Sequence, residues 1–405
     1  MEYISGPYTQ GQLVKAINEI EISLTNRFLR NGVVTDVVEQ RSWRERVEDA
    51  SFGRNTVMFD DLGNPSVMVA FPLQTRVDLG IGSVPNPHEA FIVNNATKSM
   101  LHISKYQNFT VGAGATLRAL SLKHMDPGAS INFDNAALAC KQKGAGWHLM
   151  TNAEWAAVAL STKKQGFMPR GNNSYGVDYS VTSEKGVGSY FESNKIARTL
   201  TGSGPLAWAH DGTPFGIYDL NGNVYEWVGG LRLNNGEIQI LANNNAADNT
   251  KDQSLASAEW KAILQDGSLV APGTADTLKF DNTTAGNSTA SSNDVAGEIQ
   301  INTSIVNPNY IPGGQFDYGY SQNAFEALTA AGGVTIPEIM KALALFPLDS
   351  AHGGDNLYAR NYGERLPIRG GYWYGTSYAG VFVLHLGYPR SYVHTYIGFR
   401  SAFVL

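Results

Sequence analysis

Apolar residues recur at Leu13, Ile17, Ile20, Leu24 and Phe28, at spacings of four, three, four and four. That period places them on one face of an α-helix. Thr9 followed by Gln12 has the pattern of a capping box and Gly32 that of a stop, so the spacing predicts a helix between them. Its apolar face packs either on its own domain or on a second copy of the chain, two heptads being marginal for association unaided. Residues 35–85 read as short strands and turns, VMVAFPLQTRVDLG among them. The prolines of SVPNPHEA, 83–90, read as a linker. A second unit then opens near Ala90 with the strand-like runs FIVNN and MLHISKYQNFTV. Asn132 to Lys143 reads as an amphipathic helix, and Thr151 to Thr162 as another, with Thr151 and Glu154 forming a capping box. From about 234 to 310 the chain is polar, as in NNNAADNTKDQS and DNTTAGNSTASSND, and reads as long loops inserted into the second unit. Apolar, aromatic, strand-like sequence resumes from Glu364 to Leu405.

Composition narrows the class. Charged residues are 16% of 405, against about 25% in an average soluble protein. Glycine numbers 43 and aromatic residues reach 11%, a turn-rich balance that points away from helical bundles and rods. The net charge of -6 argues against a basic nucleic-acid platform. Cys140 is the sole cysteine, which excludes an intramolecular disulfide and multi-cysteine metal sites. MEYISGPYTQ lacks the basic and apolar regions of a signal peptide, and no apolar run approaches the ~18 residues of a membrane span. The expectation is a protein made in the cytoplasm with no membrane insertion and no nucleic-acid partner.

Few residues carry recognisable catalytic chemistry. Asp219-Leu220-Asn221-Gly222-Asn223 begins like an EF-hand loop, but Val224 and Gly230 stand where glycine and glutamate belong. A tight turn with Asn and Gly in left-handed conformations fits better, and a structural calcium ion of another kind stays open. The eight histidines form no HExxH pair, so metal ligands are unknown. No GxSxG elbow or P-loop occurs. Cys140 shares the apolar side of its helix with Phe133, Ala136 and Ala137, which predicts an inert buried thiol. Glu154 and Glu226 are explained by capping and local hydrogen bonds, leaving no catalytic residue and no cofactor.

The C-terminal stretch is different. Six tyrosines fall within Tyr372 to Tyr396, from a total of 19 in the chain. They are Tyr372, Tyr374, Tyr378, Tyr388, Tyr392 and Tyr396, and His385 and His394 share the window. No Asp, Glu or Lys follows Glu364. Buried strand is one reading, because tyrosine favours strands. A binding surface is the other: tyrosine gives large rigid contacts at small entropic cost, and Ser and Gly let them adapt.

Four fragments, taken in order, resemble formylglycine-generating-enzyme-type domains. They are GWHLMTNAEWAAVAL (146–160), GIYDLNGNVYEWVGG (216–230), Arg369-Gly370-Gly371-Tyr372-Trp373 and Gly398-Phe399-Arg400. The resemblance implies an α+β, C-type-lectin-like fold over 90–405; residues 1–89 lie outside it and read from their own pattern as a small N-terminal module, for oligomerisation or virion docking. The enzymes of that family use a C-terminal cysteine pair or an iron site with N-terminal histidines. This chain has no cysteine after Cys140, and its first 130 residues hold only His88, His102 and His124. The sequence is more similar to the variable proteins of diversity-generating retroelements, a group that includes the phage major tropism determinant. There, mutagenic reverse transcription rewrites the last segment of the lectin domain at adenines. The resemblance implies a variable region over about 369–405. Its candidate ligand-binding positions are Tyr372, Tyr374, Ser377, Tyr378, His385, Gly387, Tyr388, Tyr392, Val393, His394 and Tyr396. Arg369, Trp373, Gly398, Phe399 and Arg400 would be the scaffold. It further implies a protein or glycan target on a cell surface, display on a virion or bacterial surface, and a homo-oligomer such as a trimer. Two other readings stand beside it: a structural virion or surface protein whose aromatic segment is a subunit interface, and an enzyme of the formylglycine-generating or sulfoxide-synthase kind with an unusual site.

Overall fold

The computed structural model describes residues 9–286, 296–309 and 320–405. Helix α1 spans Gln10–Asn31, with the Thr9–Gln12 capping box formed and Gly32 ending it. Leu13, Ile17 and Leu24 are buried in a cluster with Tyr106, Phe109 and Leu120, so the apolar face packs on the chain's own core. Helix α2, Val37–Ser51, corrects the reading of 35–85 as strands and turns alone. Its sequence, VVEQRSWRERVEDAS, is nearly half charged, and it buries only a narrow stripe of Trp43, Val47 and Ser51. Asp36 starts it by accepting the amides of Val38 and Glu39. Helix α3, Phe133–Lys141, begins at the Asn132 cap, and α4, Asn152–Lys164, at the Thr151–Glu154 capping box. A short α5 covers Glu338–Ala342.

A five-stranded sheet runs in the order Asn55–Phe59, Pro65–Pro72, Met100–Ser104, Ser401–Phe403, Trp147–Leu149. Strands from both sides of residue 89 therefore share one sheet, and 1–89 is not a separate module. The putting together of first and last segments is sealed at Lys105, whose ammonium is wholly buried against Glu21 of α1 (2.7 Å) and the Asn55 side chain (3.0 Å). The 83–90 segment is likewise more than a linker: His88 is buried with Nε2 2.7 Å from the Ala342 carbonyl, and Glu89, Ala90 and Phe91 are buried after it.

Among the described residues the second sheet has thirteen strands. At its centre lie Asn356–Ala359, Gly380–Tyr388, Glu364–Gly370 and Leu231–Asn234, as neighbours in that order. The polar insertion continues this sheet, a correction to its reading as loop. Strands Glu237–Leu241, Trp260–Ile263, Lys279–Asn282 and Ile299–Asn302 come from it, and Ile238, Ile240, Phe280, Ile299 and Ile301 are in the main core. Alternation of a few apolar residues with polar ones is enough for a half-buried strand. The stretch 287–295 of the insertion lies outside the described residues.

Candidate functional site: an aromatic face

The C-terminal segment is framed by fixed, buried anchors. Strand Glu364–Gly370 ends at Gly370 and Gly371, both at positive φ of 90° and 87°. A Cβ on Gly371 would stand 2.5 Å from that of Ala379, so only glycine permits this turn. The chain crosses a 3-10 turn at Thr376–Tyr378 and enters the central strand Gly380–Tyr388. It then loops from 389 to 396 into the strand Ile397–Phe399. Arg369 lies wholly buried and, among the described residues, has no carboxylate partner. Its guanidinium donates to the Asn152 side chain (2.6 and 3.1 Å) and to the carbonyl of Ala344 (3.2 Å). Burial pulls its pKa down to about 9. Arg400 is held by both oxygens of Glu226 at 2.6 Å and by the carbonyls of Ser104 and Tyr218. Trp373 and Phe399 are buried, and a Cβ on Gly398 would meet the Gly128 carbonyl oxygen at 2.5 Å. Arg390 ties the loop down through Glu364 (2.9 Å to each oxygen), Asp134 (2.6 Å) and the Gln253 carbonyl of the insertion.

On this frame the two irregular stretches, 372–378 and 389–396, lie side by side. The rings of Tyr372 and Tyr396 are 4.7 Å apart at their centroids. Tyr358, His385, Tyr388 and Tyr392 form a column of near-parallel rings at 4.4, 4.5 and 4.0 Å. The Tyr396 hydroxyl is 3.2 Å from that of Tyr388 and 3.5 Å from that of Tyr392, and His394 stacks on its ring at 3.7 Å. Tyr372 packs edge-on against Tyr374 at 4.2 Å and stacks on Tyr225 at 5.2 Å. Tyr374, Ser377, Tyr378 and Val393 are exposed, while Tyr372, Tyr388, Tyr392, His394 and Tyr396 are half-buried. Burial pushes the hydroxyls of Tyr372, Tyr388 and Tyr396 well above the usual tyrosine range, so they stay protonated. It lowers the pKa of His394.

Two candidate positions are not on the exposed surface. His385 is only 4% exposed and pairs in register with Tyr358 and Ile368 on the neighbouring strands. Burial lowers its pKa to about 3, so it is neutral. Gly387 is buried beside it, donating its amide to His385 Nδ1 at 3.1 Å. Strand alternation explains the placement: Phe382, Leu384 and Leu386 face the main core, and His385 faces the tyrosines from beneath. Tyr378 and Ser377 sit on the 3-10 turn.

The face also draws on residues the sequence reading did not single out. Tyr175 stacks on Tyr374 at 5.7 Å with the Lys195 ammonium 4.6 Å from its ring centroid. Tyr190 packs on Trp373 at 6.3 Å. Tyr225, Tyr320 and Tyr358 contact the ring of His385. These tyrosines come from scattered segments, so no local enrichment marks them; Tyr225 alone lies in one of the quoted motifs.

Other candidate chemistry resolves as structure. Cys140 is buried and its thiol is pushed well up by burial. Glu154 completes its capping box and binds His148 Nε2 at 2.8 Å. Asp219, Gly222 and Asn223 take φ of 62°, 78° and 60°, the left-handed turn expected. Among the described residues, no three His, Cys, Asp or Glu side chains come together to hold a metal ion, and no helix is long and apolar enough to cross a membrane.

A model of the sulfatase-modifying factor enzyme 1-like domain family, FGE-sulfatase, matches residues 89–257. No curated protein matches the chain. Among solved structures, Treponema denticola variable protein 1 aligns with a TM-score of 0.31 and 12% identity, over 86% of this chain and 98% of its own. PvdO from Pseudomonas aeruginosa aligns with a TM-score of 0.28 and 16% identity, over the same shares. Over the matched residues the fold is thus C-type-lectin-like, of the formylglycine-generating-enzyme type, and the described residues as a whole are α+β. The matched region begins one residue before the second unit read from the sequence and ends within the insertion. The Arg369-Gly-Gly-Tyr-Trp and Gly398-Phe-Arg motifs lie beyond it.

Proposed function

We propose that this chain is a non-enzymatic binding protein whose aromatic face recognises a protein or glycan on a cell surface, and that a retroelement diversifies this face. The observation that carries the reading is the meeting of five tyrosines of one short segment on a single surface, without a lysine or carboxylate of that segment among them. Protonated hydroxyls and ring faces bind by stacking and hydrogen bonding, the mode in which tyrosine-rich paratopes work. The frame of Arg369, Trp373, Gly398, Phe399 and Arg400 uses buried atoms only, so surface side chains can change without disturbing it. His385 and Gly387, being beneath the rings, would tune the height of the surface and not touch the ligand. Single-site affinity of such a face is modest, and display as a homo-oligomer on a virion or bacterial surface would raise it by avidity.

The test is the DNA beside the gene. We expect a near-copy of the coding sequence for 369–405 next to a reverse-transcriptase gene, with mismatches confined to template adenines. The codons of Tyr374, Tyr378, Tyr392 and Val393 should be among the mismatched ones. Absence of such a repeat would overturn retroelement diversification and leave the aromatic face as a fixed contact surface.

A further inference from the structure

A cleft of about 390 Å³ opens where the turn after α2, the strand Pro65–Pro72, the end of α4 and residues 210–211 meet. It shares no residue with the aromatic face, and its volume falls in the roughly 300–1,000 Å³ of small-molecule sites. Val69, Phe71 and Met100 give it an apolar wall, and Phe52 stands at its rim. Phe52 is exposed and held at a φ of 55°, an uncommon conformation for a bulky residue.

The cleft is lined by the N–H-bearing groups of His210 and Arg54, with the Asp211 carboxylate beside them, 4.0 Å from His210 Nδ1. His210 is 5% exposed, and its Nδ1 accepts the Ile217 amide at 2.8 Å. The neutral ring therefore carries its proton on Nε2. Burial lowers the pKa of His210, which keeps the ring neutral. Among the described residues no hydrogen bond is formed at Nε2, and His210 is one of the residues lining the cleft. Arg54 is half-exposed there, lies over the Phe215 ring at 5.1 Å and bonds Asp211 through one terminal nitrogen, leaving Nε and the other terminal nitrogen without a hydrogen-bond partner among the described residues. Asp211 is taken up by Arg54 and by the amide and hydroxyl of Thr213. Ser161 accepts from the Gln165 amide at 3.0 Å. A ligand acceptor could take these donors in place of water. A guanidinium beside a ring N–H suits a planar anion, and the aromatic wall suits an apolar body.

We propose that this cleft binds a small organic acid with an aromatic or branched apolar body, its carboxylate on Arg54 and His210 and its body against Phe71 and Phe52. The experiment is calorimetric titration of the full chain with phenylacetate, phenylacetamide and inorganic phosphate. Phenylacetate should bind saturably at one site per chain, and phenylacetamide at least tenfold more weakly. Arg54→Gln and Phe52→Ala should each weaken phenylacetate at least fivefold; both side chains are exposed enough for the variants to fold, which circular dichroism checks. The proposal is overturned if phenylacetate does not bind, if the amide binds equally, if phosphate binds as tightly as phenylacetate, or if folded Arg54→Gln binds unchanged.

Discussion

Two arginines with the same burial are held in different ways, and the difference decides what each substitution does. Arg369 disperses its charge over the Asn152 side chain and backbone carbonyls, whereas Arg400 depends on one carboxylate, Glu226, that is itself buried. Breaking a buried ion pair by removing one partner costs about 3–5 kcal/mol, because the other charge stays behind. Glu226→Gln should therefore lower the urea-derived unfolding free energy by an amount in that range; a loss below about 1 kcal/mol would show that the Ser104 and Tyr218 carbonyls suffice for Arg400. Lys143 offers a pH-dependent case. It is buried 2.8 Å from the Ser66 hydroxyl, and burial pulls its pKa from 10.5 to about 7. Between about pH 7 and 10 the unfolded chain then holds a proton at this lysine that the folded chain has released. The unfolded state binds more protons, so stability from this site rises with pH across that window, and its penalty is complete below about pH 7. Lys143→Met should remove this contribution, so that the wild type gains more unfolding free energy than the variant from pH 7 to 9.5. Equal slopes would contradict it.

At the scale of elements, legibility followed the strength of the local signal. α1 and α4 were readable because each has a capping box and a regular or strongly helix-forming sequence, and both boxes form. α2 was not, because only Trp43, Val47 and Ser51 are buried along it and the charged remainder carries no apolar period. What starts it is Asp36, one residue whose carboxylate takes two amides. Asp36→Ala should cost about 1 kcal/mol, read as a lower midpoint in urea with an unchanged slope. The insertion strands were hidden for a related reason: Lys279–Asn282 and Ile299–Asn302 are short, and their Asn-rich surroundings read as loop. The tyrosine cluster of 372–396 was visible by density alone. Its depth was not, since whether His385 looks outward or lies beneath Tyr388 depends on which strands flank Gly380–Tyr388, and those come from elsewhere in the sequence.

At the scale of the whole molecule, the aromatic face is supported by the first part of the chain. The strand Ser401–Phe403, which follows the face directly, pairs with Met100–Ser104, and that strand pairs in turn with Pro65–Pro72. α1 packs over the same region, with Glu21 buried against the Lys105 ammonium and the Tyr106 hydroxyl. Removing residues 1–89 would therefore uncover one edge of Met100–Ser104, expose the inner side of Tyr106, Leu120 and Leu122, and leave a buried lysine without its carboxylate. An exposed strand edge beside apolar surface favours association between chains. A 90–405 fragment should consequently lack a cooperative thermal transition and the near-ultraviolet circular dichroism of packed aromatic rings, and should aggregate where the full chain does not. Glu21→Gln in the full chain separates the causes, since it removes the charge pairing and keeps the sheet. It should still fold cooperatively, at a stability lowered by about 3–5 kcal/mol. A 90–405 fragment that unfolds cooperatively near the temperature of the full chain would instead make the first 89 residues dispensable to the lectin-like domain, and the shared sheet would then stabilise the N-terminal part alone.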